Sequence, residues 1–225
     1  MNCRFCQTVA ALLMTALFST AQARAELPLV VSEGFETGAD RWQPTDEQSW
    51  KIAETPSGNV YSLFKDSTYQ PPYRSPVNIS LLKDAVVGDF VLEARLQSTV
   101  QDYNHRSMVM VFGYQDPAHF YYVHFGKRTD DHANQIFIVD GAARVKISTR
   151  TTPGTPWDDA WHRVKIVRSV ADGKIDVYFD DMENPVMTAA DKTFAWGRIG
   201  VGAFDDLGNF DQIVLRGEVV QPQAR

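Results

Sequence analysis

WHRVKIVRSVADGKIDVYFDD, residues 161–181, alternates apolar and polar side chains with a period of two. His162, Val164 and Ile166 fall on one face, and Trp161, Arg163 and Lys165 on the other. Asp172-Gly173 then supplies a tight turn, since both positions tolerate positive φ. The alternation resumes with Ile175, Val177 and Phe179 inward and Asp176, Tyr178 and Asp180 outward. A helix would place its apolar residues three and four apart. A period of two instead fits a pleated strand with one face on a core. The segment predicts a β-hairpin and, with it, an antiparallel sheet.

The same period spreads in both directions. In DFVLEARLQ, Phe90, Leu92, Ala94 and Leu96 share one side, and Glu93, Arg95 and Gln97 the other. SMVMVFGYQ and FYYVHFGK are apolar on both faces, which predicts central strands with both faces covered or one face forming an aromatic groove. NQIFIVDGAARVKIST reads as two strands around Asp140-Gly141, and GRIGVGAFD and FDQIVLRG close the chain. The glycines of RIGVGAF, inside a strand, point to close packing. Between Ala53 and Pro76, a Pro-, Ser- and Tyr-rich stretch reads as a long loop with short extended pieces. No helix of ordinary length stands out. Many short strands with turns between them predict an all-β, two-sheet antiparallel sandwich or jelly roll.

At the N-terminus, Arg4 precedes the short apolar run TVAALLMTALFSTA and the small residues AQARA. That layout predicts a signal peptide over residues 1–25 and one domain over 26–225, secreted or periplasmic, with no membrane insertion after cleavage. Both cysteines, Cys3 and Cys6, lie in the predicted signal, so the mature chain would be free of disulfides. The formal net charge is −6, and the signal carries two arginines and no acid, so the mature chain is more acidic still. Acidity argues against nucleic acid and anionic membrane as partners. It leaves acidic sugars open, because HRS and GKR remain locally basic.

Three motifs carry a family resemblance. EGFETGADRW looks like the opening of laminin-G-like, concanavalin A-like domains, WHRVKIVRSVADGKIDVYFDD is similar to their Trp-His hairpin, and WGRIGVGAFDDLGNFDQIVLRG resembles their closing strand pair. The resemblance spans most of the mature chain. It implies two antiparallel sheets packed face to face, secretion, and contact with a glycan through a concave face. It does not fix an activity, because function resides in the site and not in the fold.

The chemistry narrows by elimination. His119, His124 and His132 raise zinc, but an odd separation sends His119 and His124 to opposite faces, and a loop parts them from His132. Neither zinc nor an organic cofactor is expected. The resemblance does imply a structural calcium at the seam of the first and last strands, with Glu33, Glu36 and Asp211 as candidate ligands. Asp211 equally suits a turn cap, and both readings stay open. No Glu-x-Asp-x-Glu strand, Gly-x-Ser-x-Gly elbow or phosphate-cradling glycine loop is present. NQIF only partly echoes the Gln-Ile-His strand of jelly-roll alginate lyases, with Phe137 in place of the histidine. A sugar site needs an aromatic platform with directed polar groups. Tyr122 and His124 share one face of YYVHF, opposite Tyr121, Val123 and Phe125, and Tyr73, Arg74, His105, Arg106 and Lys127 supply polar neighbours. The sequence thus favours glycan binding. The alternatives are a polysaccharide lyase or keto-sugar-processing enzyme, and a structural or adhesion domain without catalysis.

Overall fold

The computed structural model describes residues 26–222; the predicted signal peptide lies outside them. The strands are β1 (Leu29–Glu33), β2 (Trp42–Pro44), β3 (Trp50–Thr55), β4 (Gly58–Leu63), β5 (Asn78–Leu82), β6 (Val87–Ser98), β7 (Ser107–Asp116), β8 (His119–Gly126), β9 (Gln135–Asp140), β10 (Val145–Lys146), β11 (Ser148–Thr151), β12 (His162–Arg168), β13 (Lys174–Phe179), β14 (Met187–Ala190), β15 (Arg198–Ala203) and β16 (Gly208–Val219). A single 3₁₀ turn, Glu47–Ser49, is the only helical element among the described residues. None of them forms a helix long and apolar enough to cross a membrane.

Two antiparallel sheets result. One has nine strands in the order β11-β14-β13-β12-β6-β16-β4-β3, with β1 also paired to β16. The other has seven, in the order β10-β9-β8-β7-β15-β5-β2. The hairpin expected from residues 161–181 is β12–β13, with Ile166 opposite Val177 and Gly173 at φ +78 in the turn. First and last strands are neighbours, Glu33 lying opposite Ile213. Between Ala53 and Pro76 the chain is more ordered than expected. β3 and β4 form a hairpin there, closed through Thr55 opposite Gly58, and only the remainder is loop. The turn Pro56-Ser57 hides this hairpin among residues that otherwise read as loop.

Phe90, Leu92, Ala94 and Leu96 of β6 face Met108, Met110 and Phe112 of β7 and Tyr121, Val123 and Phe125 of β8 across one inter-sheet core. Each large apolar side chain sealed there contributes about 1.5–3 kcal/mol. Tyr121 and Arg168 bring their polar groups to this layer with partners, whereas the indole nitrogens of Trp42 and Trp50 have none. Tyr121 donates its hydroxyl to Asp191 and accepts from Phe194 N at 2.9 Å. Buried Arg168 spends its guanidinium on the carbonyls of Gly173, Asp191 and Phe194. The glycines of β15 act as expected: a Cβ at Gly202 would come within 1.9 Å of Asn78 O, and one at Gly200 within 2.7 Å of Ser80 O. Side chains there would force β5 and β15 apart.

Candidate functional site

Strand parity puts Tyr121, Val123 and Phe125 in the inter-sheet core, so Tyr122 and His124 face the outer side of the seven-stranded sheet. That outer side is itself apolar: Ile79, Leu81, Val109, Val111, Tyr114, Phe120, Tyr122, Phe137 and Val139 form a second cluster. Tyr69, Pro71, Ser75 and Pro76, from the loop after β4, close over one end of it and leave a void of only about 10 Å³ beside Tyr114 and Phe120. The open part is at the other end. There a pocket of about 350 Å³ is lined by Arg74, Arg144, His124 and Phe204, together with Tyr103, His105, His132 and Asp205.

His124 is the most informative residue of this pocket. Its ring is 6% exposed and lies parallel to Phe204, with centroids 6.1 Å apart. Nδ1 is 3.0 Å from the carbonyl oxygen of His132. A carbonyl only accepts, so Nδ1 carries the proton and the neutral ring has its lone pair at Nε2. Nε2 is buried and has no hydrogen-bond partner in the protein. Burial and then the nearby Arg144 cation push the imidazolium pKa down to about 4. His124 is therefore a neutral acceptor at ordinary pH.

Arg144 sits over both Phe137 and Phe204, at 4.8 and 4.3 Å, and donates Nη1 to the Tyr122 hydroxyl at 2.9 Å. Arg74 approaches Phe204 at 5.8 Å, and its carbonyl accepts from Arg144 N at 3.1 Å. Tyr103 and Ser107, also at the pocket, are pinned by Asp206. Its carboxylate accepts from Tyr103 Oη at 2.6 Å, Ser107 N at 2.7 Å and Ser107 Oγ at 3.0 Å. Burial still leaves the Asp206 carboxyl above its usual range, and burial together with Asp206 raises the Tyr103 hydroxyl.

Of the residues expected from the sequence, Arg74, His105 and His124 meet at this pocket. Tyr122 is corrected from an open platform to a floor: it is fully buried, stacked on Phe137 at 5.0 Å, and its hydroxyl is raised by burial. Arg106 is 1% exposed and bonded to Ser98 and to Asp159, so it is a structural cation. Lys127 pairs with Asp102, and Tyr73 is exposed outside the pocket wall. The turn capped by Asp130 carries His132 back against His124, nearer than the loop reading allowed. His119 stands apart, bonded to Asp116 at 2.8 Å. Arg144, Phe204 and Tyr103 were not foreseen. Each lies on a connection between strands, where alternation carries no signal.

The three acids at the β1–β16 seam are near one another but spoken for. Glu33 Oε1 accepts from Phe35 N at 2.9 Å, the Glu36 carboxylate from Asn59 N at 3.3 Å, and Asp211 Oδ1 from Gln212 N at 2.7 Å. Burial raises the Asp211 carboxyl, and the charge of Glu36 adds to the rise. Among the described residues no group of three or more His, Cys, Asp or Glu side chains is arranged to hold a metal. As placed, Glu33 and Asp211 cap turns and Glu36 bonds across to Asn59, and the three do not come together as a metal ligand set.

Two larger depressions, about 430 and 490 Å³, lie on the nine-stranded sheet around Glu93. Two of their cations are paired, Arg163 with Glu93 and Arg216 with Glu26. None of their lining residues has a buried polar side-chain atom left unpartnered. The His124 pocket differs in that last respect.

No protein-family model matches the chain, and no curated protein matches it significantly in sequence. Solved structures do match in fold. The carbohydrate-binding module CBM66 from Bacillus subtilis superposes with a TM-score of 0.56 at 17% identity, over 79% of this chain and 96% of its own. A Bacillus subtilis protein described as having a galectin-like fold gives 0.59 at 11% identity, over 87% and 99%. The lumenal domain of VIP36, solved with Ca²⁺ and Man₃GlcNAc, gives 0.54 at 11% identity, over 87% and 92%. The fold is thus a two-sheet antiparallel jelly-roll sandwich like theirs.

Proposed function

We propose that the protein is a secreted or periplasmic carbohydrate-binding β-sandwich that takes its glycan in the pocket formed by Arg74, His124, Arg144 and Phe204. The carrying observation is the buried, unpartnered Nε2 of His124. A buried acceptor without a partner costs roughly 1–3 kcal/mol, and a ligand hydroxyl arriving from the pocket would recover it. Phe204 supplies an apolar ring, and the two arginines supply directed donors. We take the outer face of the seven-stranded sheet as the counterpart of the concave face that the family resemblance implies. CBM66, a carbohydrate-binding module, and VIP36, solved with an oligosaccharide, support the same reading by their likeness in fold.

Binding is favoured over catalysis by what surrounds His124. A ring with a pKa of about 4 is a weak general base. Tyr122, the expected proton-transfer partner, is sealed under Arg144, and the Tyr103 hydroxyl is committed to Asp206. The test is a panel of polysaccharides scored for retention, for ultraviolet absorbance of unsaturated products and for new reducing ends. Retention without product is expected. Product formation would replace binding with an enzyme, and absence of both would remove the glycan reading. N-terminal sequencing of the exported protein, with a start at residue 26 expected, tests secretion.

A further inference from the structure

We propose that the pocket selects an acidic sugar, whose anionic group is held by Arg74 and Arg144 while a ring hydroxyl donates to His124 Nε2. This rests on the glycan reading above and narrows it. Among the described residues, neither Arg74 nor Arg144 has a carboxylate within ion-pairing distance, whereas Arg41, Arg106, Arg163 and Arg216 all do. These two cations are also held together. The Arg144 amide bonds the Arg74 carbonyl, and both guanidiniums lean on the Phe204 ring. Other arginines, among them Arg95, Arg150 and Arg198, also lack an ion pair among the described residues; Arg74 and Arg144 stand apart because they lie side by side at a pocket.

The chemistry of the remaining groups sets the rest of the ligand. Arg144 spends one N–H on Tyr122 and Arg74 has none committed to another side chain, so donors remain at both. Guanidinium forks bind oxyanions through two parallel hydrogen bonds. His124 offers only an acceptor, so the group beside the anion must be a donor, as a sugar hydroxyl is. Asp205, exposed at the pocket, is a carboxylate that accepts hydroxyls. Asp206 is already saturated by three donors. The pocket is thus polarised: anion toward Arg74 and Arg144, hydroxyls toward His124 and Asp205. A uronate carboxylate and a sulfate ester both supply such an anion.

Affinity electrophoresis of the purified protein separates the outcomes. The gels carry polygalacturonate, polyglucuronate or alginate, each beside its carboxyl-reduced form, and dextran sulfate beside dextran. Retention by a polyuronate that is lost on carboxyl reduction is expected, and retention by dextran sulfate over dextran would assign the sulfate source instead. Arg74→Gln should weaken retention about tenfold or more, the scale of a charge-assisted hydrogen bond, with the melting temperature unchanged because Arg74 is exposed. Arg216→Gln, on the other sheet, controls for general charge and should change nothing. Equal retention by charged and neutral forms, or an unaltered Arg74→Gln, would overturn acidic selectivity while leaving glycan binding intact. No retention by any glycan would remove both readings.

Discussion

His162 and His124 are both buried, at 5 and 6% exposure, but their rings are completed differently. His162 has Nδ1 2.8 Å from Asp180 and Nε2 3.2 Å from Asp158, and its ring is stacked on Phe179 and edge-on to Trp157. Both nitrogens and both faces are used. His124 has one nitrogen on the His132 carbonyl, one face on Phe204, and one nitrogen with nothing. Buried polar groups are nearly always paired, so an exception needs its own explanation. A histidine finished by its own fold holds structure, and one left unfinished at a pocket is available to a ligand.

The largest effect that would break this contrast is at the finished ring. His162→Ala removes packing from Trp157 and Phe179 and takes away one of the partners of Asp158 and of Asp180, which keep the amides of Ala160 and Arg163. It should cost about 3 kcal/mol, which in a domain of this size lowers the melting temperature by roughly 6–12 °C. Glycan retention by the folded fraction should not change. Thermal denaturation beside affinity electrophoresis checks both, and loss of binding at an unchanged melting temperature would reverse the two roles.

Acid should act on the unfinished ring. The His124 pKa is about 4 in the folded protein and about 6.5 in an unfolded chain. Between those values the unfolded state binds more protons, so stability is complete above pH 6.5 and declines as pH falls toward 4. Urea unfolding at pH 7 and pH 4.5 should show the wild type losing roughly 2–3 kcal/mol more than His124→Phe, which has no ring proton to gain. Matching losses in the two proteins would mean that His124 titrates normally and is not sealed.

The same substitution sharpens the comparison at neutral pH. His124→Phe gives up the bond to His132 O, but it also removes the unpartnered nitrogen. The stability change should stay within about 1 kcal/mol. Binding should fall about tenfold, the loss of one directed hydrogen bond. Unchanged binding by this variant would take His124 out of the site.

The sequence showed one half of this contrast more clearly than the other. The hairpin around His162 was legible because alternation and a Gly turn are local, and strand parity split Tyr122 and His124 from Tyr121, Val123 and Phe125; packing of the sheets then turned Tyr122 and His124 outward. Outward, however, did not mean exposed. Tyr122 is covered because Arg144, twenty-two residues on, reaches its hydroxyl. Arg106 read as a polar group for a ligand, but it is buried and bonded to Ser98 and to Asp159, fifty-three residues away. The pocket is assembled from connections after β4, β6, β9 and β15, and no periodic pattern links such distant segments. A sequence encodes strand faces locally, but which loop lands on a face is decided only when the sheets pack.

The smallest expected effect concerns the seam of β1 and β16, where the sequence favoured an ion as much as a turn cap. A calcium site needs several hard oxygens turned to one point. Here Glu33, Glu36 and Asp211 each accept from a backbone amide instead, at Phe35, Asn59 and Gln212. Phe35 and Gln212 adopt positive φ, at 59° and 48°, and the side-chain caps hold those two turns. A ligand that binds only the folded state stabilises it in proportion to the logarithm of its concentration, so a bound calcium would show in thermal scans. With the acids used as caps, a chelator should move the melting temperature by less than about 1 °C, below the 2–4 °C that each kcal/mol produces at this size. A larger fall, restored by added calcium and absent in Asp211→Asn, would show that the caps open to admit the ion. The seam would then join His124 as a second unfinished site, and His162 alone would stand for the finished kind.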